Sequence, residues 1–159
     1  MRMRTVIAGN WKMNTDRRTA VALATAVAEG VQGTEVEVVL APPFPYLADV
    51  VGGSHVLVAA QNCHASASGA FTGEVSIPML QDLGVRACIV GHSERRQYQG
   101  ETDEQVAKKV EALCQAGMMP IYCCGETRAE REAGRHQVVV AEQLRSALGG
   151  LPPGHIRGL

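Results

Sequence analysis

The sequence is poor in aromatic residues and carries almost no net charge. Its 159 residues include one Trp, three Tyr and two Phe, so a hydrophobic core must be built from Val, Ala, Leu and Ile. Small and β-branched residues suit helices packed on a parallel sheet better than a β-sandwich. The formal net charge is −1, with both signs interspersed. This balance excludes the charge pattern of a protein that binds nucleic acid or an anionic membrane.

Long apolar runs are absent as well. Arg2 and Arg4 precede a short apolar run, but Asn10 and Lys12 end it before the core of a signal peptide could form. No stretch approaches the length needed to span a membrane. The hydrophobic fraction of 46% and the charged fraction of 19% are those of an ordinary globular domain. We therefore expect a cytoplasmic protein in which residues 1–159 form a single domain.

The five cysteines form no C-x-x-C pair. Cys123 and Cys124 are adjacent, and neighbouring residues on a strand point to opposite faces, which makes a poor chelate. We therefore predict reduced thiols, and neither a metal site nor a disulfide framework.

Apolar runs of strand length recur along the chain. They are continuous rather than alternating, which is typical of parallel strands covered on both faces. Helical patterns lie between them, and capping-box spacing marks two helix starts, Thr102 with Gln105 and Thr127 with Glu130. The predicted strands are TVIAG (5–9), VEVVLA (36–41), VLVAAQ (56–61), ACIVG (87–91) and MPIYCCG (119–125).

Glycines are predicted to end or break the helices. Gly117 and Gly149 occupy positions where a helix end favours a left-handed residue. The last helical pattern, 127–148, is predicted to break near Gly134. The organisation is therefore a βα unit repeated five times, with no linker and no domain boundary, which indicates an α/β fold with a parallel sheet.

Residues capable of chemistry are concentrated at one predicted edge of this sheet. Right-handed crossovers place the carboxyl ends of all the strands on a shared edge, where ligands bind. Lys12 and Asn10 follow strand one, and His92 and Glu94 follow strand four. A Lys–Glu pair with an amide and an imidazole can bind an anion and handle protons. Backbone N–H groups after Gly91 favour a neutral imidazole at His92 that can donate a hydrogen bond.

The segment NCHASASGAFTGEV (62–75) is unusually long for a connection within a domain. It is rich in Ser, Ala and Gly, and Phe71 and Thr72 lie near its tip. Its composition leaves two alternatives open, an ordered lid or interface element and a floppy insertion.

A set of motifs resembles the triosephosphate isomerase family. The motifs occur in the order and spacing of that family and cover essentially the whole chain. They are AGNWKMN (8–14), GAFTGEVS (69–76), VGHSERR (90–96), GETDE (100–104) and the C-x-G-E of 123–126. The resemblance implies a TIM (β/α)8 barrel, an active site at the carboxyl ends of the strands, and a homodimer. It implies no metal and no organic cofactor.

The resemblance also implies a reaction, in which dihydroxyacetone phosphate and glyceraldehyde 3-phosphate interconvert through an enediolate. Lys12 is then expected to bind this phosphorylated triose and stabilise developing negative charge, with Asn10 fixing the substrate oxygens. His92 resembles the neutral electrophile that polarises the carbonyl. Supporting residues by the same resemblance are Ser93, Glu94 and Cys123. Dimer-interface residues are Asn14, Phe71, Thr72, Gly73 and Glu74.

The sequence also departs from the family pattern. A barrel of this kind runs to about 250 residues, whereas residues 1–159 hold about five βα units, and the sixth strand would be expected to begin at 155–159. No segment matches the tyrosine-glutamate-proline motif that carries the general base, the closing lid or the glycine-rich phosphate loops. Cys124 stands where the family usually has valine. Losing a general base costs about 10²–10⁴ in rate, so we expect this chain alone to have little or no isomerase activity.

The same departure bears on the fold. Five strands cannot close an eight-stranded barrel, so strands one and five are expected to be exposed edges. We expect the partial barrel to self-associate or to open toward a flavodoxin-like sheet. Two functional interpretations remain, an isomerase piece that is active within a complete or complemented barrel, and a non-catalytic half-barrel relevant to folding and assembly. A third, a flavodoxin-like binding module, lacks a recognisable phosphate cradle.

Overall fold

A computed structural model describes residues 5–53 and 55–152, which form an α/β fold around one parallel sheet. The sheet has five strands in the sequential order β1-β2-β3-β4-β5, and every neighbouring pair is parallel. The predictions on Arg2, Arg4 and residues 155–159 lie outside the described residues. The strands are β1 (Val6–Asn10), β2 (Glu37–Ala41), β3 (Leu57–Ala60), β4 (Ala87–Val90) and β5 (Met119–Tyr122).

Helices follow each strand and supply the outer layer. A short 3-10 turn, Phe44–Tyr46, precedes α2. None of the described helices combines the length and the apolar character needed to cross a membrane. The α-helices are α1 (Arg17–Gly30), α2 (Leu47–Gly53), α3 (Ile77–Asp82), α4 (Ser93–Gln99), α5 (Asp103–Gln115), α6 (Arg128–Glu132) and α7 (His136–Leu148).

All five predicted strands are confirmed, with ends that differ by a few residues. The prediction that each strand is covered on both faces holds for β4, in which every residue is buried. It is wrong for β1, where Val6 and Ile7 are 47% and 58% exposed. The physical reason is that β1 pairs only with β2 in the described sheet and lies at its edge.

The sheet separates two clusters of buried side chains. Its outer face packs on the helices through residues such as Leu40, Val58 and Val90. The other cluster contains strand residues that alternate with these, including Val39 and Ala87, together with the partly buried Cys123, and no residue of a described helix. Since Val39 and Ala87 are fully buried with no helix over them, the sheet curls around its own inner face as a half-barrel.

The expected alternative of a flavodoxin-like sheet is therefore wrong. A flavodoxin-like sheet has strand order 2-1-3-4-5 and helices on both faces. Here the order is sequential, and the described helices cover a single face. The sheet is open, because β1 and β5 are not paired with each other, but its curvature is that of a partial TIM barrel.

Most of the helix ends predicted from the sequence are found in the structure. Both predicted capping boxes are present, at Thr102 before α5 and at Thr127 before α6. Gly117 and Gly134 have φ values of 67° and 71°, so the left-handed helix end and the break between α6 and α7 are confirmed. The prediction for Gly149 is wrong, because its φ of −64° is right-handed and its N–H still donates to the Arg145 carbonyl at 2.9 Å.

A buried ion pair ties the sheet edge to α5. Lys109 Nζ donates to the Glu101 carboxylate and, at 2.8 Å, to Asn62 Oδ1, two residues after the end of β3. The side chains of Lys109 and Glu101 are 9% and 4% exposed. Burial alone would raise the pKa of Glu101, but hydrogen bonding to Lys109 and the charges of Lys109 and Arg95 outweigh burial and lower it.

Lys109→Met is expected to lower the free energy of unfolding by about 3 kcal/mol at neutral pH, because the Glu101 carboxylate stays buried without its closest cation. In the native chain the lowered pKa of Glu101 stabilises the fold above the unfolded pKa, and this contribution is lost as pH falls through the folded pKa. The difference between native and variant should therefore shrink in acid. Urea unfolding at several pH values measures it.

Lys108→Met removes an exposed lysine from the same helix and serves as the control, with an expected effect within about 0.5 kcal/mol. Equal stabilities of the two variants at neutral pH would contradict the importance of the buried pair.

Candidate active site

The loop after β1 holds Lys12 in an unusual backbone conformation. The φ of Lys12 is 54°, a left-handed value that costs a non-glycine residue about 1–3 kcal/mol and persists where its surroundings enforce it. Two hydrogen bonds do so here. The Lys12 N–H donates to Asn10 Oδ1 at 2.9 Å, and the Lys12 carbonyl accepts from Gln61 Nε2 at 2.9 Å.

Gln61 is a residue that the sequence analysis did not identify as part of the site. Its Nε2 also donates to the Ala41 carbonyl at 2.9 Å, and that carbonyl accepts the Trp11 N–H at 3.1 Å. Gln61 thus joins the ends of β1, β2 and β3. The available signal was an amide residue at the end of an apolar run, which the sequence analysis included in the third strand.

Gly91 turns the chain out of β4 and into the site. Its φ is 72°, and a Cβ at this position would lie 2.9 Å from Val106 Cγ1 and 3.0 Å from the Cys123 carbonyl oxygen. Both the backbone conformation and the space therefore require glycine. The turn places His92 at the N-cap of α4.

His92 accepts a hydrogen bond from the first turn of that helix. The Glu94 N–H donates to His92 Nδ1 at 3.3 Å. A ring nitrogen that accepts from an amide carries no proton, so the geometry fits a neutral imidazole protonated at Nε2. The Nε2–H is then the donor that His92 can offer to a ligand.

Lys12 and Glu94 meet across the sheet although 82 positions separate them. Lys12 Nζ lies 2.6 Å from Glu94 Oε1, and the other oxygen of Glu94 lies 3.5 Å from His92 Nδ1. The hydrogen bond from Lys12 lowers the pKa of Glu94, and the Lys12 charge adds to this effect. The side chains are 51% and 44% exposed, so the pair contributes little to stability. Its effect is to hold the ammonium beside the imidazole.

A cleft of about 230 Å³ lies beside His92. The end of β4 with the start of α4 forms one wall, and residues 123–126 after β5 form the other. Arg96 joins the two walls, because its Nε donates to the Gly91 carbonyl at 2.8 Å and its Nη2 to the Cys123 carbonyl at 3.4 Å. Burial raises the pKa of the Cys123 thiol. Ser93 also lines this cleft.

A larger cavity of about 680 Å³ lies at the opposite edge of the sheet, near the amino ends of β2 and β3. Its lining mixes apolar side chains with Gln32, Glu37, His55 and Arg86, but it lies away from the carboxyl strand ends, where parallel sheets bind ligands. Size and position therefore point to different places, and we assign the site by its position at the carboxyl strand ends. Apolar lining residues include Ala28, Val31, Val36, Val51 and Val56.

The long segment 62–75 is folded on itself. The His64 N–H donates to the Val75 carbonyl at 2.8 Å and closes the base of the segment. The His64 and Phe71 rings lie 4.0 Å apart, and the Glu74 N–H donates to the Phe71 carbonyl at 3.0 Å. Residues 67–74 are nevertheless exposed. These contacts favour an ordered loop over a floppy insertion.

Comparison with known proteins identifies the family. A model of the family described as Triosephosphate isomerase matches residues 5–157. The triosephosphate isomerase of Paracidovorax citrulli (strain AAC00-1) is 49% identical over 154 residues, which cover 93% of this chain and 61% of that protein. The protein of the same name from Moorella thermoacetica is 49% identical over 159 residues, which cover 98% of this chain and 64% of that protein.

The chain belongs to the triosephosphate isomerase family. The resemblance seen in the motifs and the partial TIM barrel are thereby confirmed. A third relative, the triosephosphate isomerase of Rhodopirellula baltica (strain DSM 10527 / NCIMB 13988 / SH1), is 48% identical over 155 residues and is covered to 61%. The chain thus spans 61–64% of the length of these three curated relatives.

The structure of this triosephosphate isomerase family member brings together most of the predicted site residues. Lys12, Glu94 and His92 are in contact, and Ser93 and Cys123 line the cleft beside His92. The residues predicted for a dimer interface, a prediction that a single chain does not test, lie in two places. Asn14 Nδ2 donates to the Trp11 carbonyl at 2.7 Å, and residues 71–74 form the exposed loop tip.

Lys12→Met is expected to raise the pKa of Glu94 toward its ordinary value, because the variant loses the ammonium hydrogen bond and charge that lower it. Carbon-13 NMR of the Glu94 carboxyl group across an acid titration measures this pKa. Lys108→Met is the control and should leave it unchanged. The same Glu94 pKa in all three proteins would show that the contact does not persist in solution.

Proposed function

We propose that this chain carries the anion-binding and electrophilic part of a triosephosphate isomerase site. The substrate is a phosphorylated triose, and the reaction interconverts dihydroxyacetone phosphate and D-glyceraldehyde 3-phosphate through an enediolate. The observation that carries the proposal is the contact set at one sheet edge, where Glu94 bonds to Lys12 at 2.6 Å and its N–H donates to His92 Nδ1 at 3.3 Å.

Each residue then has a role that its position supports. The Lys12 ammonium attracts the substrate anion and stabilises the negative charge that develops on the enediolate. The Nε2–H of His92 donates to the substrate carbonyl oxygen and polarises it. Asn10 holds the Lys12 backbone through its Oδ1, and Glu94 holds the ammonium. Ser93 and Cys123 support the cleft wall.

Assayed alone, these 159 residues are expected to isomerise slowly if at all. The sequence contains no segment that matches the family's general base, whose loss costs about 10²–10⁴ in rate. A hydrogen-bond donor and a cation without a base can bind and polarise a ketose but cannot remove its proton. The chain needs further residues of the family's barrel to complete the reaction.

A specific observation favours the second candidate function, a non-catalytic half-barrel. Val6 and Ile7 on the β1 edge are 47% and 58% exposed, and unpaired strand edges favour association. For this function the important surfaces are the sheet edges and not the strand ends. The two candidates differ in whether substitutions at His92 change any measured property other than stability.

We also propose that the chain functions as a homo-oligomer in cytoplasmic glycolysis and gluconeogenesis. The exposed loop tip, Phe71 to Glu74, supports an intersubunit contact, as does the apolar β1 edge. Sedimentation velocity is expected to show a species larger than a monomer at micromolar concentration. A stable monomer that binds no hydrophobic dye would contradict the association.

The function is tested by complementation. The chain is mixed with a polypeptide that supplies the carboxyl-terminal part of the Moorella thermoacetica relative, and isomerisation is followed in a coupled assay. Activity is expected to appear only in the mixture, and His92→Gln and Lys12→Met should each reduce it by about 10²-fold or more.

Lys108→Met is the matched control and should retain the activity of the mixture. Gel filtration with both polypeptides establishes that they assemble. A mixture that assembles and is inactive, or that is equally active with His92→Gln, would contradict the proposed function.

A further inference from the structure

Residues 123–126 form the wall of the cleft opposite α4, and strand pairing holds only the beginning of this wall. The Cys123 N–H donates to the Val90 carbonyl at 2.9 Å, as the last bond in line with the β4–β5 ladder. Beyond it the chain leaves the sheet. The position of Gly125, in the middle of the wall, must therefore be fixed by something other than β4.

Gln143 on α7 provides this connection. Its Oε1 accepts the Gly125 N–H at 2.8 Å, and its Nε2 donates to the Gly125 carbonyl at 3.2 Å. The amide side chain thus binds both polar groups of one residue, as the backbone of a further strand would. Gln143 is only 9% exposed, so few water molecules can replace these bonds.

Gln143 is itself held from two sides. The Tyr122 hydroxyl, at the end of β5, donates to the Gln143 carbonyl at 2.9 Å. The helix around it is anchored by the buried residues Val139 and Ala147. The wall is therefore positioned relative to the helical layer, and the same helix is bonded to the strand that leads into the wall.

We propose that Gln143 is a positioning residue that sets the loop wall of the His92 cleft through its paired hydrogen bonds to Gly125. The inference rests on the proposed function only in that the cleft is taken as the substrate site. Among the described residues no hydrogen bond joins Gln143 to His92 or Lys12, so Gln143 acts through Gly125. A role in stability alone would affect the whole fold, whereas a positioning role affects the wall and the cleft.

The test compares Gln143→Met, which keeps the length of the side chain and removes both bonds, with Gln137→Met, which makes the same change at an exposed position of α7. Amide hydrogen exchange of Gly125 in the full chain is expected to be about tenfold faster in Gln143→Met, as for loss of a hydrogen bond to a buried partner. Exchange at Val110 in α5 should stay as in the native chain. The ring resonances of His92 should shift in Gln143→Met and not in Gln137→Met.

Gln143→Glu separates the two bonds, because a carboxylate still accepts the Gly125 N–H and cannot donate to its carbonyl. Gly125 exchange is expected to lie between the native rate and the Gln143→Met rate. If Gln143→Met does not fold, Gln143→Glu is compared with the native chain alone. A native rate of Gly125 exchange in Gln143→Glu would then overturn the proposal.

Two other results would also overturn it. One is a native Gly125 exchange rate in folded Gln143→Met, and the other is an equal acceleration at Gly125 and Val110, which indicates loss of the whole fold. These measurements need no ligand, so an inactive complementation mixture would contradict the proposed function and leave this test unaffected.

Discussion

The structure depends on the curl of one sequentially ordered parallel sheet. Because every strand is parallel to its neighbours, all the carboxyl strand ends lie on one edge, and the curl brings the end of β1 toward the end of β4. Only then can the Lys12 ammonium reach Glu94 at 2.6 Å across 82 positions of sequence. A flat sheet of the same strands would place these groups too far apart to bond.

Two left-handed residues, Lys12 and Gly91, lie where strands turn into the site. At Gly91 the φ of 72° costs little, because glycine has no Cβ. At Lys12 the φ of 54° has a cost, which the hydrogen bonds of Asn10 and Gln61 offset. The backbone that carries the ammonium is therefore fixed, and Glu94 holds the Lys12 Nζ itself. The exposed Lys12–Glu94 pair contributes little to stability. Its importance is that it orients a cation for an anionic ligand.

The sequence predicts those features that depend on local pattern. All five strands, both capping boxes and the break near Gly134 follow from apolar runs and residue type, and the motifs bring out Lys12, His92 and Glu94. The exposure of β1 could not be predicted from its own residues, because it depends on which strands pair with β1. Gln61 and Gln143 act through backbone groups far away in sequence, so their partners cannot be read from local pattern, although an amide at the end of an apolar run was a weak signal for Gln61. Gly149 shows that a glycine at a helix end permits the left-handed turn without requiring it.

The central claim is that the turn after Gly91 delivers His92 with its proton on Nε2. Nitrogen-15 NMR of the His92 ring measures it directly, since the two ring nitrogens have distinct shifts when one is protonated. We predict a protonated Nε2 and an Nδ1 that accepts the Glu94 N–H. A proton on Nδ1 would contradict it, because the helix N–H could not then donate to that nitrogen.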